Sequence, residues 1–465
     1  MTSSGPMSST VAVVGGGLAG LSAGCALADA GFRVTLLERR PYLGGRASSY
    51  EHPGTGEVVD NCQHVLLGCC TNLIDFYRRT GVAEKIRWYD RLNFIEPGGR
   101  CSSMRPSALP APLHYAPAFL RVAFLAAADK LAIARAMMKL MESPLPESDQ
   151  HFLGWLRGHG QTSGAIDRFW KVVLVSALNE DLDRMSVHYA SQVFRESFLK
   201  SAPAGRMGVP TVPLTELYNA GAKYLEARGG EVRLRCLLES FRPEATEVCL
   251  AASSGEFSAD FAVMAAPFDA LLKMLPATAE AAGLRAQLSR FETSPITGIH
   301  FWFDREISGL DHAVLLDRTI QWMFHKSRIM TARDGTGSYV ELVVSSSKAL
   351  LEKSRNEILD LALKELKEFF PAAAAATVLK ATVIKEVHAT YSALPRSGEY
   401  RPRTETAWPR VFLAGDWTLS GWPATMEGAV RSGYRAAEAV VRAAGGSNRF
   451  LVPDLPAKGF MRLFA

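Results

Sequence analysis

Glycines at positions 15, 17 and 20 follow the apolar run Val11 to Val14 at Gly-x-Gly-x-x-Gly spacing, an arrangement suited to holding a pyrophosphate. Gly15 permits the sharp turn, Gly17 lets the phosphate approach the backbone at the positive end of the next helix, and Gly20 lets that helix pack on the strand. Leu18 and Ala19 complete the turn, so the phosphate rests on backbone N–H groups. The alternating run Phe32 to Leu37 then ends at Glu38, about 20 residues on, where a carboxylate bonds ribose hydroxyls and disfavours a 2′-phosphate. Arg39 follows it. Gly44, Gly45 and Arg46 form a second turn whose diglycine permits close approach and whose guanidinium can fork onto phosphate oxygens. A bare glycine triplet is also compatible with a plain turn. The agreement of strand, helix, second strand and acid selects a dinucleotide, and the second turn favours FAD over NADP.

A second constellation stands near the other end. Val411 to Ala414 reads as an apolar strand ending at Gly415 and Asp416, and a helix begins near Ala424 with Gly428 and Gly433 allowing close packing. A carboxylate at the strand end can bond a ribityl hydroxyl. The helix N-terminus around Thr425, Met426 and Glu427 can stabilise negative charge at the pyrimidine end of a flavin. The plainer reading is a strand-to-helix connection capped by Thr425.

These motifs need a large folded frame, and composition supports one. The 465 residues are 48% hydrophobic and 21% charged, enough for two or three domain cores without dominant disorder. The net charge of +5 is spread rather than clustered, which argues against nucleic-acid binding while permitting attraction to an anionic membrane face. Seven cysteines without a Cys-x-x-Cys pair suggest neither a disulfide framework nor a metal site, and fit a reducing, cytoplasmic setting. The first ten residues lack the charged and apolar regions of a secretion signal and read as a frayed leader. No apolar run reaches the roughly 20 residues needed to cross a bilayer. Residues 116–141 instead read as one or two amphipathic helices broken by Arg121, Asp129, Lys130, Arg135 and Lys139. They either pack on the protein or, with the tail residues Phe460, Met461, Leu463 and Phe464, dip into the inner face of the cell membrane as a peripheral surface.

The expected fold class is α/β: a Rossmann-like FAD-binding domain of glutathione-reductase type, an α+β substrate domain, and a helical subdomain that could face a membrane. The FAD-binding domain is expected in three segments, 1–85, 206–290 and 401–445, the helical subdomain at 86–205, the substrate sheet at 291–400 and a tail at 446–465. A helix stopped by Gly229 and Gly230, then strands near 231, at 247–251 and at 257–266, should complete the nucleotide-binding layer. Strands from Pro295 onward, a helix at 355–370 and a strand at 378–388 should form the substrate domain.

GGGLAGLSA with Glu38 and GGR, then FLAGDW and WPATMEGAVRSG, resemble the FAD-dependent amine oxidase and phytoene desaturase superfamily. IKEVHATYSALP at 384–395 resembles plant-type carotene desaturases. VVDNCQHVLLGCCTNLIDFYRRTG at 58–81 and GDWTLSGWPATMEGAVRSGYRAAEA resemble the hydroxysqualene dehydroxylases, squalene-associated flavoproteins of bacterial hopanoid biosynthesis. The resemblance implies that Glu38 holds the adenosine ribose, Arg46 the phosphates, Val232 the adenine through its backbone, Asp416 the ribityl chain and Met426 the flavin pyrimidine. It also implies an isoprenoid substrate, with an allylic alcohol losing water under acid assistance and capturing hydride from reduced FAD. One departure is Cys62, where the family pattern after Asp60 usually has glycine.

Candidate acids are His64 and the cluster Glu180, Asp181 and Asp183, the latter also readable as a solvated turn. Phe301, Trp302, Phe303, Trp322 and Phe324 could line an isoprenoid tunnel, although alternation lets only half of them face it. The glycines of GHGQTSG at 158–164 follow no buried strand, so an external electron donor or reductase is expected. Two other readings stay open: a carotenoid-type polyene desaturase, and a non-enzymatic isoprenoid carrier resembling GDP-dissociation inhibitors.

Overall fold

Five short strands form the parallel sheet on which the glycine turns are mounted. Their order across the sheet is Glu231–Arg233, Arg33–Leu37, Thr10–Val14, Phe261–Met264 and Val411–Leu413. The structure is a computed structural model that describes residues 9–142, 144–331 and 337–464; most of the expected N-terminal leader lies outside the described residues. Helices cover both faces of a parallel sheet, so its central strands read as unbroken apolar runs. Val13, Leu36 and Val263 are fully buried, each contributing roughly 1.5–3 kcal/mol by leaving water. Helix Leu18–Asp29 packs against helix Met426–Ala443 where Gly433 meets it: a Cβ there would lie 2.1 Å from Ser22 Oγ and 2.3 Å from the Ala19 carbonyl. The two glycine-bearing ends of the chain are thereby brought together beyond the carboxyl ends of the strands, where such sheets bind ligands.

The strands at Val248–Ala252 and Gly255–Ala259 do not join this layer as expected. They form a separate three-stranded antiparallel sheet with Leu238–Pro243. Their burial alternates, with Val248, Leu250 and Ala252 inward and Cys249 and Ala251 only partly covered, the pattern of a sheet solvated on one face. The chain breaks at Asp260, whose carboxylate accepts from the Thr10 N–H and hydroxyl, and only Phe261–Met264 enters the parallel sheet.

A seven-stranded sheet forms the second layer system, in the order Val378–Tyr391, Thr293–Phe303, Ser338–Ser345, Trp322–His325, His312–Leu315, Leu92–Ile95 and Cys101–Met104. The last two strands fall within the segment expected to be helical. Leu92–Ile95 instead extends the sheet edge, with Phe94 in register with Val314, and turns back through Gly98 and Gly99 at positive φ. Helix Arg355–Phe369, opened by a Ser354–Glu357 capping box, covers the face from which Phe301 and Phe303 project. The helical region holds Ala116–Arg121, Ala127–Leu140, Phe152–Gly158, Lys171–Leu178 and Val187–Phe194, with π-helical turns at Ile166–Trp170 and Arg195–Leu199.

Candidate active site

The two glycine turns lock into each other. Gly15 has φ of 114°, and a Cβ there would stand 2.7 Å from the Ala265 carbonyl oxygen. Gly17 caps the helix Leu18–Asp29, and the only atom within 4 Å of a Cβ placed on it is Gly45 Cα at 3.8 Å. Gly44 and Gly45 both have positive φ, and the Gly44 N–H donates to the Gly16 carbonyl. No side chain caps this helix and no acid stands in its first turn, so its positive end is open to an anion. That cradle fits a pyrophosphate. Gly20 lies beneath it as packing, since a Cβ would lie 1.9 Å from the Gly15 carbonyl oxygen.

Glu38 closes one end: its carboxylate accepts from the Gly16 and Arg40 N–H groups, both at 2.7 Å. Arg39 lines the cavity beside it. Val232 is in register with Leu36 one strand further out and does not border the cavity. At the other end Arg46 and Asp416, both on the cavity wall, meet each other, Nη2 to Oδ1 at 2.5 Å. Gly415, with φ of 147°, donates its N–H to Ser432 Oγ, and Thr425 caps the final helix by accepting from the Gly428 N–H. Met426 borders the cavity as expected. Glu427 does too, but its carboxylate is fully buried and engaged: it accepts from the N–H groups of Asn72 and Leu73 and pairs with Arg431. It clamps the start of helix Thr71–Arg79.

Between these ends runs the loop Asn61 to His64, all of it on the cavity wall. Beneath the loop is a buried charge cluster that sequence reasoning missed. Lys326 Nζ donates to Asp60 Oδ2 at 2.7 Å and to Gln63 Oε1 at 2.9 Å, with Glu341 Oε2 at 3.5 Å, and Lys326, Asp60 and Glu341 are all almost completely buried. Asp60 also accepts from Ser49 Oγ and the Leu214 N–H. Burial opposes its charge, but Lys326 and these donors hold it below the usual carboxylate range. Burial pushes Glu341 up to about 8 despite Lys326. Lys326 and Asp60 are 266 positions apart, and neither residue's local sequence marks the pairing.

His64 borders the cavity, and its Nδ1–H donates to the Cys62 carbonyl at 2.7 Å. Burial lowers its pKa more than that bond raises it, so at neutral pH it is an uncharged imidazole with Nε2 as an acceptor. This corrects the expectation of a proton donor. Glu180 and its neighbours are also corrected: Glu180 is buried against Lys348 away from the cavity wall, and Asp181 shares that lysine. The carboxyl groups on the wall away from the glycine turns are Glu196, paired with Lys200 at 2.8 Å, and Glu386, which accepts from Asn61 Nδ2.

The cavity encloses about 430 Å³, and its far wall is apolar, built by Phe94, Val172, Val173, Val193, Phe198 and Trp322. Of the five aromatic residues expected to line a tunnel, only Trp322 does so, anchored by its indole N–H to Ser176 Oγ. Phe301 and Phe303 face the opposite side of their sheet, Trp302 stacks on Tyr339, and Phe324 packs in a small core. Both π-helical turns adjoin this wall, placing Val172 and Val173 after one and Glu196 to Phe198 within the other.

The model of the flavin-containing amine oxidoreductase family matches residues 18–441. The chain belongs to that family. It is an FAD-dependent oxidoreductase, and the cradle described above is where the residues fit the cofactor. Among its relatives is the 15-cis-phytoene desaturase of Synechococcus elongatus, 28% identical over 93% of this chain and 95% of that protein. The zeta-carotene desaturase of a Synechocystis strain is 25% identical over 93% of this chain and 97% of its own. An oxidoreductase of known structure from Methanosarcina mazei superposes with a TM-score of 0.70 at 16% identity, covering 91% of this chain and 98% of that one; at that identity the likeness is one of fold. Because the family consists of flavin oxidoreductases, the carrier reading is set aside.

Proposed function

We propose that the protein converts hydroxysqualene to squalene by reductive dehydroxylation, within bacterial squalene and hopanoid biosynthesis. The observation that carries this reading is the continuity of one cavity from the glycine cradle, past the loop Asn61 to His64, into a wall of aliphatic and aromatic side chains. Such a wall suits a long hydrocarbon and offers few partners to a polar substrate. Bound FAD supplies a hydride when reduced and accepts one when oxidised. The chain's own residues exclude water along the apolar wall, orient the allylic end at the loop, and provide a proton to the departing hydroxyl. Glu196 lies on that wall with the Lys200 ammonium donating to its carboxylate at 2.8 Å, and is proposed to relay a proton from Lys200 to the departing hydroxyl. His64 Nε2 then serves as an acceptor that orients the alcohol. Electrons come from an external donor or reductase.

A second reading is favoured by the relatives, whose names are those of phytoene and zeta-carotene desaturases: removal of hydride from a related polyene. Binding of each substrate to the FAD-loaded protein, followed as a perturbation of the flavin absorbance, tests the choice. Saturable perturbation by hydroxysqualene but not phytoene supports dehydroxylation, and the reverse supports desaturation.

A cytoplasmic protein sitting peripherally on the inner face of the membrane completes the proposal. Leu113, Leu120, Leu131, Met138, Phe460 and Leu463 are exposed on the helical region and the tail, near Arg121, Lys130, Arg135 and Lys458. That mixture suits an interfacial surface delivering a lipid-dissolved substrate. Among the described residues no helix is long and apolar enough to cross a membrane.

A further inference from the structure

A second cavity of about 320 Å³ lies behind the final helix, lined by Arg403, Arg435 and Arg442 together with Glu405, Glu438 and Leu419. It shares no lining residue with the cofactor cavity. The chain between Asp416 and Glu427 separates the two, with Leu419 on this side and Asp416, Trp417 and Trp422 on the other.

The local charges do not cancel. Arg442 is paired with Glu405 at 3.0 Å. Glu438 is 7% exposed and uses Oε1 to accept the N–H groups of Phe450 and Leu451, which fixes it to the chain that follows the helix. Three arginines against two glutamates leave the lining with a net charge of +1, and the guanidiniums without an ion pair among the described residues are those of Arg403 and Arg435. Arg403 is exposed and has no hydrogen-bond or ion-pair partner among the described residues. Arg435 donates through Nη1 to the Leu419 carbonyl, while its buried Nε has no partner. Arg435 is also crowded from behind: burial, and then the neighbouring guanidinium of Arg431, pull its pKa below the usual arginine value, with Arg401 adding to the effect and Glu438 and Glu405 opposing it. Two guanidiniums lining one cavity, that of Arg403 exposed and unpaired among the described residues, form an incomplete anion site.

We propose that this cavity binds a phosphate-bearing small anion, with Arg403 and Arg435 as the principal donors. The forked, planar donor groups match phosphate oxygens, and the volume admits a phosphate or diphosphate group while remaining at the small end of ligand sites. Bound there, the anion neutralises Arg435, whose Leu419 contact lies in the same segment as Asp416. Arg401 grips that segment too, through the Asp416 and Thr418 carbonyls. Occupancy therefore firms the chain that faces the ribityl side of the cofactor cavity.

The test uses FAD-loaded protein, so that the glycine cradle is already filled, and titrates inorganic diphosphate and an alkyl diphosphate in parallel by calorimetry. The expected result is saturable binding of one anion per chain, weakened at least tenfold in R403Q and abolished in R403Q/R435Q, with the flavin spectrum and FAD content of R403Q unchanged. Tighter binding of the alkyl diphosphate identifies an esterified ligand, and equal binding identifies the free anion. Absence of saturable binding, or equal binding by wild type and R403Q, overturns the proposal.

Discussion

Replacing Glu341 with Gln probes the buried charge cluster beneath the cavity-lining loop Asn61 to His64, because the two possible states of Glu341 predict opposite outcomes. Its carboxyl is pushed up to about 8 from an ordinary 4.5 by complete burial, with Lys326 only partly compensating. A shift of that size at about 1.4 kcal/mol per pH unit amounts to a few kcal/mol. The raised pKa sets the sign: the contribution of Glu341 is fully present below pH 4.5 and is lost as pH rises through about 8, since the unfolded chain releases its proton first. Gln mimics the neutral acid and lacks this loss. Glu341→Gln should therefore match the wild type near pH 5 and gain on it progressively towards pH 8, by roughly 2–4 kcal/mol at most. His300, pushed down to about 3 by burial, imposes an opposite slope between about pH 3 and 6.5, but it is common to both proteins and drops out of the difference. The assay is thermal or urea unfolding of both FAD-loaded proteins from pH 5 to 8. Parallel curves, or a Gln variant destabilised by about 3–5 kcal/mol at pH 7 as expected when one partner of a buried ion pair is removed, would refute the reasoning.

Other substitutions test the remaining parts of the site. Gly17→Asp puts a carboxylate at the open helix end and should yield colourless protein with at least a hundredfold loss of FAD affinity, measured by flavin retention on gel filtration. Glu196→Gln should slow turnover of hydroxysqualene by about 10²-fold or more while leaving substrate binding within a few-fold, read by single-turnover kinetics; an unchanged rate removes Glu196 from the mechanism. Lys326→Met leaves Asp60 buried without its cation and should cost about 3–5 kcal/mol in urea unfolding, much of it recovered in Lys326→Met/Asp60→Asn. Leu120→Glu with Leu463→Glu should reduce flotation with anionic vesicles without changing FAD content; equal flotation rules out that surface as the membrane contact.

The cofactor cradle was readable from the chain because its determinants are local. Gly15, Gly17 and Gly20 sit in one turn, Glu38 ends the next strand, and Thr425 precedes the last helix, so spacing alone carries the geometry. The substrate side was not. Leu92–Ile95 pairs locally with Cys101–Met104, but it joins the seven-stranded sheet by meeting Val314 and Leu315 across more than 200 positions, and the strands after Glu247 pair among themselves with alternating burial. Lys326 looks like a residue at a strand end until folding brings it to Asp60 and Gln63. Arg46 and Asp416 were each identified as cavity residues, but their contact depends on the junction of the chain's two ends. His64 was located correctly on the cavity wall, while its protonation depended on burial that spacing cannot reveal.

The most direct test of the proposed chemistry is a single turnover without oxygen. FAD-loaded protein is reduced with dithionite, freed of excess reductant, mixed with hydroxysqualene, and sampled for squalene by mass spectrometry and for flavin reoxidation by absorbance. One squalene per flavin reoxidised is the predicted result. Bound substrate with reduced flavin unchanged, together with hydride removal from phytoene by the oxidised protein, would contradict dehydroxylation and assign the site to desaturation.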